Sequence, residues 1–478
     1  MIFFFTIFAV KEIKGPKSEV ERELIIILPF CHLRTRQSAS PKCPMPTAQC
    51  LDFNFSSTFA IRTCSQTWFF IQNTIYMPQK VYITGIGIIS SIGNDAGSAF
   101  TSLVEEKSGI GEITLLDTSL KGKFPLAEVK MTTEDLLEVV GCSGKKNLTR
   151  TTLLGMIAAR EAIGSSGITD INEFRTGLIS ATTVGGMDRS ENFYKEFLAD
   201  PEKGHLIDIV NHDCGDSTER IADFLGIKGF MTTISTACSS SANSIMFGAQ
   251  LIKAGFLDRV IAGGTDSVTK FTLNGFNTLM ILDKNGCRPF DENRAGLTLG
   301  EGAAYVVLES EEIVKAQNKK IMAELTGYGN ANDAYHQTAS SPEGTGAFLA
   351  MQKALQLSGL DPEEIDYINV HGTGTQNNDL SEGIALQKIF GEKMPPFSST
   401  KSYTGHTLGA AGAVEAVIAV MSINHGILFP NLRFETPMKE ISIAPFTKVM
   451  KGVEVRNILS NSFGFGGNNS TLIISKTN

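Results

Sequence analysis

The chain has 478 residues, of which 42% are apolar and 19% are charged, and its 42 basic and 50 acidic side chains give a net charge of −8. These values are typical of a soluble globular protein with a large core, and they exclude a disordered or collagen-like chain. The acidic balance argues against nucleic acid as a partner, because phosphate binding needs a basic face. Eight cysteines without any CxxC spacing indicate neither a disulfide framework nor a metal-binding motif.

Residues 1–76 differ in composition from the rest of the chain. They hold 10 of the 30 phenylalanines and a net charge of +3, so the remaining 402 residues carry −11. Their apolar runs, Met1–Val10 and Leu24–Phe30, are too short to span a bilayer, and the first lacks the features of a signal peptide. We interpret this segment as lying outside the fold, with a mis-assigned translation start preferred over a targeting segment or a poorly ordered tail. We expect no membrane span and a cytoplasmic location.

From Lys80 onward, strand patterns alternate with helix patterns. Apolar runs that end near glycine or another turn residue predict buried strands at Val81–Ser90, Thr176–Val184, Arg259–Thr265, Gly302–Glu309, Ile365–His371, Asn457–Phe463 and Ser470–Ser475. Helical spacing or helix-favouring composition predicts helices at Leu153–Ile163, Ala237–Ala254, Gly344–Gly359, Leu380–Phe390 and Leu408–His425. This alternation predicts a mostly parallel sheet with helices on its faces.

Two of the predicted helices, Ala237–Ala254 and Leu408–His425, are nearly free of charge and rich in small residues. A helix without a polar face is buried on all sides, so we place both between two sheets. The second half of the region also echoes the first. We therefore predict an α/β fold of five layers, helix–sheet–helix–sheet–helix, built from two related halves at residues 77–325 and 326–478.

Cys238 is the cysteine best placed for chemistry. It lies in Ser235-Thr-Ala-Cys238-Ser, between a turn and the start of a buried helix, where free N–H groups and the helix dipole favour the nucleophilic thiolate. The alternative is a small buried side chain, which most free cysteines are. Cys142, Cys214 and Cys287 lack this setting, and we interpret them as structural.

Three of the seven histidines lie in loops rich in small residues. His371 follows a predicted strand in His371-Gly-Thr-Gly-Thr375, His406 ends Lys401-Ser-Tyr-Thr-Gly-His406, and His336 precedes Gln337 and Thr338. A histidine at the carboxyl end of a strand faces the usual ligand crevice of an α/β sheet. Each could be a satisfied structural histidine, but two of them with one helix-start cysteine favour an active site. We expect no metal, because no acidic or cysteine ligand stands at short spacing.

Lys401 and Glu382 are the charged residues nearest these loops. A buried lysine needs a partner, and Glu382 lies 11 residues after His371, so we predict an ion pair that orients the histidines. A solvated pair without consequence is the alternative. In Asn461-Ser-Phe-Gly-Phe-Gly-Gly467, the glycines beside Phe465 free the backbone to direct an N–H at an oxyanion, unless the segment is a plain hairpin turn.

Taken together and in this order, the motifs resemble those of the β-ketoacyl-acyl-carrier-protein synthases of the elongating Cys-His-His type, which have the thiolase fold. The resemblance runs from about Val81 to Lys476 and includes Arg288-Pro-Phe-Asp291. It implies an acyltransferase that condenses an acyl thioester with malonyl-acyl-carrier protein, with loss of CO2, to give 3-oxoacyl-acyl-carrier protein in fatty-acid elongation. It also implies a homodimer, or a heterodimer with a chain-length partner, that needs no cofactor because phosphopantetheine arrives on the acyl carrier protein.

The same resemblance implies a role for each site residue. Cys238 would carry the acyl chain, and His371 and His406 would donate hydrogen bonds to the enolate oxygen formed on decarboxylation. The backbone N–H groups of Cys238 and Phe465 would form the oxyanion hole, and Phe465 would also gate the acyl pocket. The residues implied in substrate binding are Thr373, Thr375, His336 and Thr338 at the entrance, and Val184 where chain length is limited near the dimer interface.

Two departures from the usual pattern bear on the pathway. Gln376 stands where the family usually has proline, and Ala295 replaces the commoner acid. They raise the possibility of a specialised type II polyketide or polyene ketosynthase with the same chemistry. Three further functions are weaker hypotheses: a non-catalytic chain-length partner, which would not need Cys238, His371 and His406, a thiolase or Cys-His hydrolase, and a simple binding protein.

Overall fold

The computed structural model describes residues 79–145 and 147–477. The interpretation of residues 1–76 as an extra segment therefore lies outside the described residues. Twelve strands lie within them: β1 Val81–Ser90, β2 Thr176–Ala181, β3 Met231–Ile234, β4 Arg259–Asp266, β5 Gly302–Ser310, β6 Ala323–Asn332, β7 Tyr367–Asn369, β8 Phe397–Ser398, β9 Ile427–Leu428, β10 Met450–Lys451, β11 Asn457–Gly464 and β12 Asn468–Ser475.

The described residues also form twelve α-helices. They are α1 Ala96–Val104, α2 Thr133–Val139, α3 Arg150–Ser165, α4 Met187–Ala199, α5 Cys214–Leu225, α6 Ser240–Lys253, α7 Lys270–Thr278, α8 Glu311–Ala316, α9 Thr345–Ser358, α10 Gln376–Phe390, α11 Lys401–Thr404 and α12 Ala411–His425. Side-chain caps fix several starts. Before α3, for example, the Thr149 hydroxyl accepts the N–H of Thr152 at 3.1 Å, which satisfies one of the free donors of the first turn.

Ten of the strands form one sheet in the order β3-β2-β4-β5-β1-β6-β12-β11-β7-β8. Four of its nine neighbouring pairs are parallel and five are antiparallel, so the prediction of a mostly parallel sheet is wrong. The alternation of strands and helices did not reveal the antiparallel pairs. One of them is a local hairpin, formed by β11 and β12 across a turn at residues 464–467, and the other four, such as β1 with β5, join strands that are far apart in the sequence.

The sheet consists of two five-stranded halves joined where β1 meets β6. The join is short, since only Tyr82 and Ile83 pair with Glu324 and Ala323. Helices α3 and α5 cover the outer face of the first half. Helix α9 packs on β6 and β12 of the second half, and α10 packs beside α9 in an apolar cluster that includes Ile368 and Leu459. Helices α6 and α12 contact strands of both halves and each other, so they form the middle layer. The order of the layers is therefore helix–sheet–helix–sheet–helix, as predicted.

The middle layer explains the composition of its helices. In α12 all thirteen residues from Ala411 to Ile423 are buried, so no face is left for a charged side chain to reach water. The helices meet closely: a Cβ atom on Gly412 would lie 2.9 Å from the Cβ of Ala242 on α6 and 2.7 Å from the hydroxyl of Ser462 on β11. Only glycine fits there without a shift of the neighbouring elements.

Among the described residues, one segment has the length and apolarity to cross a membrane. It is Leu408–His425, with a mean hydropathy of 1.4. Because 89% of this segment is buried inside the protein, it is a core helix whose apolar surface is covered by the two halves of the sheet.

Candidate active site

Cys238 lies in a strained turn between β3 and α6, which we call the nucleophile turn (residues 235–239). Ala237 has a φ of 54°, which costs an alanine about 1 kcal/mol or more. The Ser240 hydroxyl holds the turn, because it accepts the N–H of Thr236 at 2.7 Å and donates to the carbonyl of Ala237 at 2.6 Å. The side chain of Cys238 is thereby held at the floor of a cavity, with the residue only 7% exposed.

A second turn from the other half of the chain closes on the nucleophile turn. We call it the gate turn (residues 464–467), and it begins where β11 ends. A Cβ atom on Gly464 would lie 2.8 Å from the carbonyl oxygen of Thr236, so the two backbones touch and only glycine fits. The backbone N–H of Phe465 donates to the Cys238 thiol, while its ring stacks on Phe276 at a centroid distance of 5.8 Å.

His371 lies two residues beyond β7 and is buried. Its Nδ1 lies 3.2 Å from Nζ of Lys401. An ammonium group can only donate, so Nδ1 accepts and the ring proton resides on Nε2. This leaves His371 with one free N–H donor, and its ring lies against that of His406 at a centroid distance of 5.4 Å and an angle of 85°.

His406 has the same tautomer for a different reason. Its Nδ1 accepts the backbone N–H of Leu408 at 3.2 Å, so its proton also resides on Nε2. The sulfur of Cys238 and one ring nitrogen each of His371 and His406 all lie within 4.8 Å of one another. The structure thus brings the three predicted catalytic side chains together from distant parts of the chain. The expectation that this group holds no metal stays a prediction.

Burial decides the charge state of all three side chains. It raises the pKa of the Cys238 thiol to about 11, against the opposing effects of the Lys401 charge and the Phe465 N–H. The expectation of a resting thiolate at the helix start is therefore wrong, because desolvation outweighs the local donors. Burial and the Lys401 charge hold the pKa values of His371 and His406 well below the usual range, so both imidazoles are neutral near pH 7.

The predicted ion pair between Lys401 and Glu382 is also wrong. Lys401 pairs with Glu415 on α12, and both side chains are 2% exposed. Glu382 instead accepts the backbone N–H groups of His371 and Gly372, each at 2.8 Å, and the Asn461 amide at 3.0 Å. Glu382 therefore fixes the backbone that carries His371, whereas Lys401 fixes its ring.

The three side chains open into a cavity of about 380 Å³. The cavity is lined by Cys238, Phe276, Met280, Ile281, residues 295–297, residues 338–340, His371, Thr373, residues 375–378, His406 and residues 463–465. The hydroxyls of Thr373 and Thr375 lie 2.9 Å apart, so two predicted substrate-binding residues are neighbours in the wall. Thr338 also lines the cavity.

Two predicted substrate-binding residues lie outside the cavity lining. His336 is exposed, and its Nδ1 accepts the backbone N–H of Thr338 at 3.1 Å, so its contact with the entrance is indirect. Val184 is 2% exposed and packs in a cluster with Leu297 and Leu408 behind the wall. Its predicted place at a dimer interface involves a second chain and stays a prediction.

Sequence reasoning missed two buried acids next to the site. Glu415 is the single charge in the small-residue helix α12, and a lone charge in a buried helix is a signal for a buried partner. Asp266, at the end of β4, accepts the hydroxyls of Thr182 and Thr183 and the N–H of Gly409, the last at 2.7 Å. No local pattern marks Asp266, because its partners come from two distant loops.

Comparison with known proteins identifies the family to which this site belongs. The profile of the beta-ketoacyl synthase N-terminal domain matches residues 79–313, and that of the C-terminal domain matches residues 322–435. The chain belongs to the β-ketoacyl synthase family. The predictions of the family and of an acyltransferase are thereby confirmed.

Two curated β-ketoacyl synthases illustrate the relationship. Over 416 residues, this synthase is 35% identical to 3-oxoacyl-[acyl-carrier-protein] synthase 2 of Staphylococcus aureus (strain COL), with 83% of this chain and 98% of the relative covered. It is also 35% identical over 410 residues to the protein of the same name from Coxiella burnetii, which is covered to 99%. The similarity therefore spans nearly the whole of both relatives.

Solved ketosynthase structures are similar along the same part of the chain. The ishigamide ketosynthase/chain length factor superposes with a TM-score of 0.79 at 31% identity. The match covers 84% of this chain and 100% of that one. A ketosynthase in complex with its chain length factor from Xenorhabdus doucetiae superposes with a TM-score of 0.73 at 31% identity and is covered to 98%. This synthase thus resembles both curated 3-oxoacyl-[acyl-carrier-protein] synthases and ketosynthases described together with a chain length factor. The predicted thiolase fold is thereby confirmed.

Proposed function

We propose that this synthase transfers an acyl chain from an acyl carrier protein to Cys238 and joins it there to the carbanion formed from malonyl-acyl-carrier protein. The observation that carries the proposal is the meeting of one thiol and two neutral Nε2–H imidazoles, within 4.8 Å, at the floor of one cavity. Splitting a carbon–carbon condensation into acylation and attack replaces one difficult step by two easier ones.

In the first step, the sulfur of Cys238 attacks the thioester carbonyl of the acyl carrier protein. The carbon–sulfur bond to the carrier breaks, and the thiol proton leaves with the carrier as its free thiol. Because burial raises the pKa of Cys238 to about 11, the proton moves as the bond forms and is not lost beforehand. The oxyanion of the tetrahedral intermediate accepts the backbone N–H groups of Cys238 and Phe465, a type of contact that contributes roughly 3 kcal/mol per donor.

In the second step, malonyl-acyl-carrier protein loses CO2. The bond between its carboxylate and the α-carbon breaks, and the electron pair moves into an enolate whose oxygen becomes negatively charged. The Nε2–H groups of His371 and His406 donate to that oxygen. Neutral donors suffice because the carbanion forms by loss of CO2, so no strong base has to remove a proton from the α-carbon.

In the third step, the α-carbon attacks the acyl-Cys238 carbonyl. The same two backbone N–H groups stabilise the second oxyanion. Its collapse expels the sulfur of Cys238 as a thiolate, which takes a proton from solvent. The product is 3-oxoacyl-acyl-carrier protein. The hydroxyls of Thr373 and Thr375 and the Thr338 side chain line the path that the phosphopantetheine arm of either carrier would take, which supports their assignment to substrate binding.

The partners we propose are the acyl carrier protein and a second synthase subunit. A homodimer is the first candidate. A heterodimer with a chain-length partner is the second, supported by the similarity to ketosynthases that have a chain length factor. We place the enzyme in the cytoplasm and propose that phosphopantetheine reaches the site only on the carrier.

Two pathways remain candidates. Fatty-acid elongation is favoured by the names of the curated relatives. A specialised polyketide or polyene pathway is favoured by Gln376 and Ala295, both of which line the cavity. A non-catalytic chain-length partner is disfavoured by the assembled Cys238, His371 and His406.

The test uses the full chain with a series of acyl-carrier proteins and malonyl-carrier protein. We expect CO2 release and 3-oxoacyl-carrier protein, read by mass spectrometry. Preference for saturated chains would support fatty-acid elongation, and preference for conjugated dienoyl chains would support the polyene pathway. Absence of any 3-oxoacyl product with every chain, or cleavage of acetyl-CoA without a carrier, would contradict the proposed function.

A further inference from the structure

A cluster of three asparagines lies between the nucleophile turn and the gate turn. Asn468 is the first residue of β12 and directly follows the gate turn. Its Oδ1 accepts the side-chain amides of Asn243 on α6 at 2.9 Å and of Asn330 on β6 at 2.8 Å. One amide oxygen thus joins a helix of the first half of the chain to two strands of the second.

The nucleophile turn contacts the same oxygen. The hydroxyl of Ser239, the residue after Cys238, lies 2.8 Å from Oδ1 of Asn468 and also 2.8 Å from the carbonyl oxygen of Thr236. A hydroxyl has one proton, so Ser239 donates to one of these two acceptors at a time. Asn243 makes a second link, because its Nδ2 also donates to the Thr236 hydroxyl at 2.9 Å.

Two further hydrogen bonds extend the cluster. Oδ1 of Asn243 accepts the hydroxyl of Ser470 at 2.6 Å, and that hydroxyl oxygen accepts Nδ2 of Asn330 at 2.9 Å. A connected polar network of this kind fixes the arrangement of the elements it joins, and removing a central acceptor leaves its donors unmatched.

The positions of these residues relate the network to the oxyanion hole. Cys238 and Phe465, whose backbone N–H groups form the proposed hole, stand one residue before Ser239 and three residues before Asn468 in the chain. The two turns already touch at Gly464. We propose that Asn468 is a positioning residue, which sets the separation of the N–H groups of Cys238 and Phe465 by holding the gate turn against the nucleophile turn.

This inference rests on the proposed function, and it separates the steps of the reaction. Acyl transfer to Cys238 and the final attack both need the oxyanion hole. Decarboxylation of malonyl-carrier protein needs the Nε2–H groups of His371 and His406, which the asparagine cluster does not contact. A loss of Asn468 should therefore slow acyl transfer and condensation while leaving decarboxylation unchanged.

The experiment compares Asn468→Ala with Asn468→Asp. A displacement of about 1 Å in such a site costs up to about 100-fold in rate, so we expect Asn468→Ala to slow acylation of Cys238 by about 10- to 100-fold. Asn468→Asp keeps an acceptor oxygen for the same donors, so it should retain acylation within a few-fold of the wild-type rate. Acylation is followed by intact-mass spectrometry, and decarboxylation by CO2 release from malonyl-carrier protein.

Asn457→Ala is the matched control. Asn457 lies at the far end of β11, and its side-chain amide donates to the carbonyl of Glu364 at 2.9 Å. Asn457→Ala deletes one hydrogen bond of an asparagine side chain in the pair of strands β11 and β12 without touching either turn. The rates of acylation, condensation and decarboxylation should therefore stay at the wild-type level. If Asn468→Ala does not fold, Asn468→Ser serves in its place, because its shorter side chain cannot reach both amides.

Equal acylation rates for the wild type, Asn468→Ala and Asn468→Asp would overturn the inference, and so would a parallel loss of acylation and decarboxylation. Either result is distinct from failure of the proposed function, in which the wild-type enzyme itself makes no 3-oxoacyl product.

Discussion

Burial and charge act in opposite directions on the Cys238 thiol. Burial raises its pKa to about 11, while the Lys401 charge and the Phe465 N–H lower it. A pKa above the assay range means that the thiolate fraction rises about tenfold with each pH unit. We therefore expect the rate of alkylation of Cys238 by iodoacetamide to rise steadily from pH 7 to pH 10, measured on the peptide by mass spectrometry.

The rate at which iodoacetamide alkylates Cys238 in the denatured enzyme, where the thiol is exposed, is measured on the same peptide and serves as the control for the reagent. A plateau in the native protein below pH 8 would show a thiolate stabilised by the helix start and would contradict this description of the site.

Lys401 holds His371 in one tautomer and neutralises Glu415. Lys401→Met should leave a buried carboxylate without its partner, at a cost of about 3 kcal/mol in the free energy of unfolding. It should also slow malonyl decarboxylation by about 10-fold or more, because Nδ1 of His371 loses its donor and the ring no longer keeps its proton on Nε2. Unfolding in urea and CO2 release measure the two effects separately.

The double variant Lys401→Met with Glu415→Leu distinguishes stability from tautomer control. Apolar residues in place of a buried ion pair are often neutral for stability, so unfolding should return toward the wild-type midpoint while decarboxylation stays slow. Recovery of decarboxylation together with stability would show that Lys401 acts only through folding.

At the scale of single residues, residue type and motif order were enough to select Cys238, His371 and His406, which the fold brings together. They were not enough to pair Lys401, because its partner Glu415 lies on a helix that the packing of the middle layer, and not the local sequence, brings beside it. The charge state of Cys238 also depends on burial, which a helix-start pattern does not contain.

At the scale of elements, the glycines of the middle layer determine how closely helices and strands approach. Gly412→Ala places a methyl group 2.9 Å from the Cβ of Ala242, so it should lower the free energy of unfolding by about 1–3 kcal/mol. Gly164→Ala, in an exposed part of α3 with no atom within 4 Å of the new Cβ, should raise it by up to about 1 kcal/mol.

Urea unfolding of both variants measures this difference between two glycine-to-alanine changes in helices. Equal stabilisation by both changes would contradict the close packing of α12 against α6.

Buried strands with continuous apolar runs were predicted well, and β1 was predicted with its observed bounds. The strand β6 was missed, because alternate residues are buried and its run contains Gly327 and Gly329, which weaken a strand pattern. The mostly parallel sheet was wrong for a related reason, since β6 and the hairpin of β11 and β12 supply antiparallel pairs.

At the scale of the whole molecule, the site exists because two halves of one chain meet. The first half supplies the nucleophile turn with Cys238, and the second half supplies His371, His406 and the gate turn with Phe465. The layered arrangement could be predicted from the two nearly uncharged helices, but the contact between the turns could not, because it depends on a backbone approach at Gly464.

The measurement that tests the central claim most directly compares Cys238→Ala with the wild-type enzyme on acyl-carrier and malonyl-carrier proteins. We predict that Cys238→Ala takes up no acyl chain in intact-mass spectra and forms no 3-oxoacyl product, yet still releases CO2 from malonyl-carrier protein through His371 and His406. Formation of the 3-oxoacyl product by Cys238→Ala, or an acyl chain attached to the wild-type enzyme at another residue, would contradict this mechanism.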